Sequence, residues 1–161
     1  MPDQKKYEIL WDDFIEVLGV KLFRIRSLRK FSVVETGEKG GYVESEEKLS
    51  QSGNAWVFGD ARVSGYARVF GDAQVSGNAR VFGYARVFGY AQVERAEDLL
   101  VLGPLGSRNA FLTVHIRTGM ATTGCFFGTL DELQAAAEKN GRQDYLDLLP
   151  GIRAIVARRV A

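Results

Sequence analysis

From Gly53 the chain reads GNAWVF, GDARVS, GYARVF, GDAQVS, GNARVF, GYARVF and GYAQVE, seven hexads with glycine first, alanine third and valine fifth in every one. A short strict period demands one small structural unit, repeated and stacked. Within each hexad Ala-x-Val alternates, so alanine and valine share one face of a short strand. Trp56, Arg62, Arg68, Gln74, Arg80, Arg86 and Gln92 take the opposite face. The glycine that follows is the corner, since it accepts positive φ at little cost, and the Asn or Asp beside it in several hexads also suits a tight turn. Three hexads close a triangle of 18 residues, and stacking such triangles buries the Ala and Val columns while pairing each strand with its equivalent 18 residues on. Gly41, Val43 and Leu49 extend the pattern as a weaker preceding coil.

That spacing also dictates which outward side chains stack. Tyr66 is expected over Tyr84, Arg68 over Arg86, Phe70 over Phe88, Arg62 over Arg80, and Ser64 over Phe82, with Trp56, Gln74 and Gln92 in the third column. Columns of exposed arginine and phenylalanine are poor surface for a free monomer, because like charges repel and apolar rings are hydrated at a cost. They point to a covered face, in which aromatic residues and arginine are enriched.

Outside the repeats the signals are more local. LFRIRSL, from Leu22 to Leu28, alternates apolar and basic residues, so Leu22, Ile25 or Phe23, and Leu28 are expected to cover the open end of the stack while Arg24, Arg26, Arg29 and Lys30 stay outside. GEKGGYVES at 37–45 is a glycine-rich turn without the lysine-serine ending of a phosphate loop. After the repeats, DLLVLGPLGSRNAFLTVHIRT and MATTGCFFGT read as three strands. Thr129 three residues before Glu132 has capping-box spacing for a helix that Gly141 stops, with Leu130, Leu133 and Ala137 facing inward. Ile152, Ile155, Val156 and Val160 lie on one face of a final helical segment.

LFRIRSLRKF, GEKGGYVESEEKLSQSGNAWVFGDARV, LGPLGSRN and TTGCFFGTLDEL, together with the hexads, make the chain resemble the hexapeptide-repeat, left-handed β-helix family, and within it a phage- and prophage-type group that carries a transferase label. The resemblance implies a mainly β fold. The expected organisation is an N-terminal cap over 1–40, a short left-handed parallel β-helix over 41–97, and a small α+β region over 98–161. It also implies a homo-oligomer, with a trimer as the expected state.

Composition narrows the partners. Lys+Arg 21 against Asp+Glu 20 leaves a net charge of +1, so no global field favours nucleic acid or an anionic membrane, and any charged partner must be recognised locally. The single cysteine, Cys125, cannot form an internal disulfide, MPDQKKYEIL lacks the apolar run of a secretory signal, and no apolar stretch approaches the roughly 20 residues that span a bilayer. A cytoplasmic protein without a membrane segment is expected.

Catalytic signals are sparse. Enzymes of the family that this chain resembles use a histidine as general base, but the hexads hold none, and the one histidine, His115, alternates with Val114 and Ile116 on a strand. Cys125 between Gly124 and Phe126 reads first as a small hydrophobe. Metal-ligand clusters are not visible, no cofactor is implied, and the pairs Asp12/Asp13 and Glu46/Glu47 point apart on an extended chain. Binding is the better-supported chemistry. Arg62, Arg68, Arg80 and Arg86 with Tyr66 and Tyr84 are expected to hold an anionic aromatic ligand between subunits, where guanidinium pairs with phosphate and a ring stacks on the base. GPLGSRN adds a second candidate, with free backbone N–H groups near Gly103 and Gly106, the Ser107 hydroxyl and the Arg108 fork. The expected function is a non-enzymatic oligomeric binding protein of phage type that captures a phosphorylated or nucleotide-like ligand, conceivably against a host defence. An acyl or nucleotidyl transferase using His115 or Cys125, and a self-assembling scaffold, are the alternatives.

Overall fold

The structure, a computed structural model, describes residues 4–161. The chain divides into two compact units, one ending at Ala96 and one running Glu97–Ala161. The first begins with an antiparallel hairpin of β1 (Tyr7–Val17) and β2 (Val20–Ser27), and β2 pairs antiparallel with β3 (Lys39–Val43). Each hexad then contributes a strand of only two residues: β4 (Trp56–Val57), β5 (Arg62–Val63), β6 (Arg68–Val69), β7 (Gln74–Val75), β8 (Arg80–Val81), β9 (Arg86–Val87) and β10 (Gln92–Val93).

These strands pair in parallel with the strand 18 residues on, Arg62 against Arg80, Arg68 against Arg86, and Trp56 against Gln74 against Gln92. Backbone N–H groups are satisfied across the same step, as in Arg62 N to Ala79 O at 3.0 Å and Arg68 N to Ala85 O at 3.0 Å. The alanine and valine positions are buried throughout. Gly53 shows why the corners are glycine: its φ is +68°, and a Cβ there would sit 2.6 Å from the Gly71 carbonyl oxygen.

The topology corrects the mainly β, left-handed parallel β-helix expected for this chain. The architecture is mixed, with several small sheets and two helices, and among the described residues there is no closed or solenoid sheet. The physical reason is strand length. Two residues per hexad pair only with their equivalents, so the repeats fall into separate sheets, β10-β7-β4, β6-β9, and β5-β8. The last continues through β3 into the antiparallel hairpin, giving one five-stranded mixed sheet in the order β1-β2-β3-β5-β8. The N-terminal segment therefore covers the edge of β3 by strand pairing. Leu22 and Ile25 are buried as expected, whereas Leu28 is exposed.

The preceding coil is longer than the repeat. Val43 pairs with Val63, and Leu49 with Val69, so the step is two residues longer than in the hexads. The excess falls at Ser50–Gly53, and the loop it forms clamps the N-terminal strand. Gln51 Oε1 accepts from the N–H groups of Lys6 (2.8 Å) and Tyr7 (3.2 Å), and Gln51 Nε2 donates to Tyr7 O at 3.1 Å. This docking also corrects the exposure expected for Trp56, which is fully buried against Tyr7 and Phe31 with ring centroids 6.0 and 5.2 Å away.

In the second unit four strands form an antiparallel sheet, β11 (Leu99–Leu105), β12 (Ala110–His115), β13 (Met120–Thr123) and β14 (Phe126–Thr129), one more than the sequence suggests because TGCFFG makes a turn between two strands. Helices α1 (Leu130–Lys139) and α2 (Gln143–Val160) follow. Thr129 Oγ1 accepts from Glu132 N at 3.1 Å and Glu132 Oε2 from Thr129 N at 2.8 Å, completing the capping box. Leu112, Val114, Ile116, Leu133, Leu149 and Ile152 form the centre of a core against which Ile155 and Val156 pack, while Val160 is exposed. No helix among the described residues is long and apolar enough to cross a membrane.

Candidate anion-binding cleft

The two candidate groups from the sequence lie in different units. In the first, the expected columns form. The Tyr66 and Tyr84 rings stack at 4.8 Å with 8° between planes, Phe70 and Phe88 at 4.7 Å and 7°, and the Arg86 guanidinium lies 5.6 Å from the Phe70 ring centroid. Arg68 and Arg86 are adjacent in one sheet, while Arg62 and Arg80 are adjacent in the mixed sheet beside Tyr42. Tyr42 carries the Arg24 guanidinium 4.3 Å from its ring centroid. The structure thus brings Tyr66, Tyr84, Arg68 and Arg86 together but puts Arg62 and Arg80 in another sheet. The aromatic columns already use their inner ring faces on each other, which leaves a flat surface rather than a concave one.

In the second unit the turn between β11 and β12 does the opposite. Gly106 (φ +69°) and Asn109 (φ +51°) fold LGSRN back on itself, with Asn109 N donating to Gly106 O at 3.2 Å. The Gly106 N–H donates to Asp144 Oδ2, tying the turn to the start of α2, and Asp144 Oδ1 accepts from Tyr145 N at 3.0 Å. Beside that tie, Arg142 Nη1 donates to Ser107 Oγ at 3.0 Å. Thr123 Oγ1 and the Tyr145 hydroxyl are hydrogen-bonded at 2.8 Å on the sheet side.

These pieces enclose a cleft of about 380 Å³. Its polar lining is Ser107, Arg108, Arg142, Asn140, Thr123 and Tyr145, and its apolar lining includes Leu105, Phe126 and Leu133. Neither guanidinium forms an ion pair among the described residues, so two fixed positive charges share a small concavity whose nearest printed carboxylate, Asp144, is engaged by two backbone N–H groups. Such a site favours a planar or tetrahedral oxyanion, for which guanidinium supplies paired donors, with a flat apolar group lying against Phe126.

Ser107 and Arg108 were legible as a donor-rich turn. Arg142, Asn140, Thr123 and Tyr145 were not, because contacts over 22 to 35 residues depend on how α1 and α2 return to the sheet. The only local hint was Gly141, whose helix stop places Asn140 and Arg142 at a junction, where polar side chains commonly meet ligands. His115 is buried in β12, and it is not among the cleft-lining residues. Cys125, expected as a buried hydrophobe, is instead exposed and lines the cleft, because the β13–β14 turn lifts it off the sheet. No family model and no curated protein match this chain.

Proposed function

We propose that this chain is a non-catalytic binding protein that captures a small phosphorylated, nucleotide-like molecule in the cleft of its second unit. What carries the reading is the pair of guanidinium groups, Arg108 and Arg142, facing one 380 Å³ concavity with no carboxylate partner of their own. The Ser107, Thr123 and Tyr145 hydroxyls add neutral donors and acceptors, and Phe126 adds a ring against which a base can lie. The volume is at the lower end of the range for small-molecule sites, which suits a mononucleotide or sugar phosphate better than a dinucleotide. A cytoplasmic setting belongs to the same proposal.

Calorimetry with a panel of nucleoside monophosphates and sugar phosphates tests it. Wild-type protein is expected to bind at least one member of the panel. Arg108→Ala and Arg142→Ala are each expected to weaken that binding by about one to two decades, the equivalent of a charge-assisted hydrogen bond worth roughly 1.5–3 kcal/mol. Absence of binding to the whole panel, or binding indifferent to both substitutions, overturns the proposal.

A transferase is favoured by one observation, the exposed Cys125 on the cleft wall. A thiol nucleophile wants an adjacent base, and no histidine lines the cleft. Cys125→Ser distinguishes the two readings: capture survives it, and thiol-dependent transfer does not.

A further inference from the structure

The first unit holds a second concavity, on the opposite side of the account from the hexads. The two-residue excess at Ser50–Gly53 pushes a loop outward, and the N-terminal strand is clamped along it by Gln51. Between them lies a cleft of about 510 Å³ lined by Gln4, Lys5, Arg29, Gln51, Ser52 and Gly53. Every lining side chain is cationic or neutral.

The charges around it are unevenly compensated. Lys5 Nζ is paired with Glu46 at 2.9 Å, Arg26 with Glu8, Lys30 with Glu35 at 2.9 Å, and Lys39 with Asp13 at 3.2 Å. Arg29 has no such partner among the described residues. Next to the cleft Lys6 is fully buried, and its ammonium meets carbonyl oxygens, Ala55 at 2.7 Å and Ser52 at 3.4 Å, together with the Phe31 ring. Burial first, and then the field of Arg29, lower the Lys6 amine to about 8. The field of Arg29 therefore reaches the interior instead of being neutralised at the surface.

We propose that this cleft is an anion site in its own right, taking the phosphoryl groups of a small polyanion on Arg29 and Lys5, with Gln4 and Ser52 as flanking neutral donors. It is separate from the cleft of the second unit and does not depend on it. Arginine supplies the bidentate fork, and lysine a mobile point charge that can leave Glu46 for a phosphate, since that surface ion pair is worth little. A bound polyanion also offsets the repulsion between Arg29 and Lys6.

The probe is inorganic tripolyphosphate, titrated by calorimetry at fixed ionic strength into the full chain carrying Arg108→Ala and Arg142→Ala, so that the second unit does not contribute. Binding is expected in that background, with affinity falling at least tenfold in Arg29→Gln and several-fold in Lys5→Gln. Without the probe Arg29→Gln is expected to melt no lower than its parent, since it breaks no ion pair. A second readout is the Lys6 ammonium followed by NMR, whose titration midpoint moves upward when tripolyphosphate binds. No binding in the background protein, binding indifferent to both substitutions, or an unmoved Lys6 titration overturns the site. Loss of nucleotide binding with retention of tripolyphosphate separates failure of this site from failure of the other.

Discussion

The hexads and the second unit solve the problem of burial in opposite ways. In the hexads a column of alanine and valine is enclosed by strands of two residues, and each added repeat brings the same small increment of apolar area and backbone pairing. In the second unit Leu112, Leu133, Leu149 and Ile152 meet between a continuous four-stranded sheet and two helices, so a few large side chains hold many different segments at once. The surfaces differ accordingly. Repetition lays like on like, tyrosine on tyrosine and arginine beside arginine, and produces a flat face. Irregularity lets unlike groups converge, as Ser107, Arg142 and Tyr145 do. Both concavities described above occur where the period fails, one at the two-residue excess of Ser50–Gly53 and one where α1, α2 and the β11–β12 turn meet.

The contrast can be broken most forcefully at Leu112. It is fully buried, and Leu112→Ala is expected to cost about 2–5 kcal/mol. Amide hydrogen exchange should register the loss throughout 97–161, whereas a matching loss of protection in the Ala and Val columns of 53–94 contradicts two separately organised cores.

A smaller effect sharpens the role of the N-terminal strand. Because burial lowers the folded-state amine of Lys6 to about 8 from its ordinary 10.5, the unfolded chain binds more protons between those values, and stability rises with pH across that window. Tyr7 works in the other direction. Its phenol, raised by burial and by Glu46, keeps its proton in the folded chain after the unfolded chain has lost it, so stability falls above about pH 10. Chemical denaturation should therefore show a gain on the order of 2 kcal/mol from pH 8 to pH 10 in the wild type, a gain absent in Lys6→Met. A flat wild-type profile removes the buried charge.

How much of this was readable from sequence follows the same divide. The period placed Arg62 against Arg80 and Tyr66 against Tyr84 correctly, because backbone pairing 18 residues apart is all that those contacts need. The Thr129–Glu132 capping box was equally local. Fold class was misjudged because periodicity says nothing about strand length, and two-residue strands divide into several sheets where longer ones unite. Trp56 was placed outside because its alternation is outward, yet Tyr7 and Phe31, far away in the chain, cover it and leave its Nε1 without a hydrogen-bond partner. Arg142 was invisible for the same reason: its meeting with Ser107 is made by tertiary packing alone.

The central claim, that the cleft beside Arg108 and Arg142 is where a phosphorylated ligand sits, has a built-in reporter. Cys125 is the only cysteine of the chain, it is exposed, and it lines that cleft. Its alkylation rate by a neutral thiol reagent, measured with and without a saturating nucleotide identified by calorimetry, is the most direct test. Occupation of the cleft predicts at least a tenfold slower reaction, with protection lost in Arg142→Ala at the same nucleotide concentration. An alkylation rate unchanged by a nucleotide that demonstrably binds contradicts the account, because the ligand then sits somewhere else.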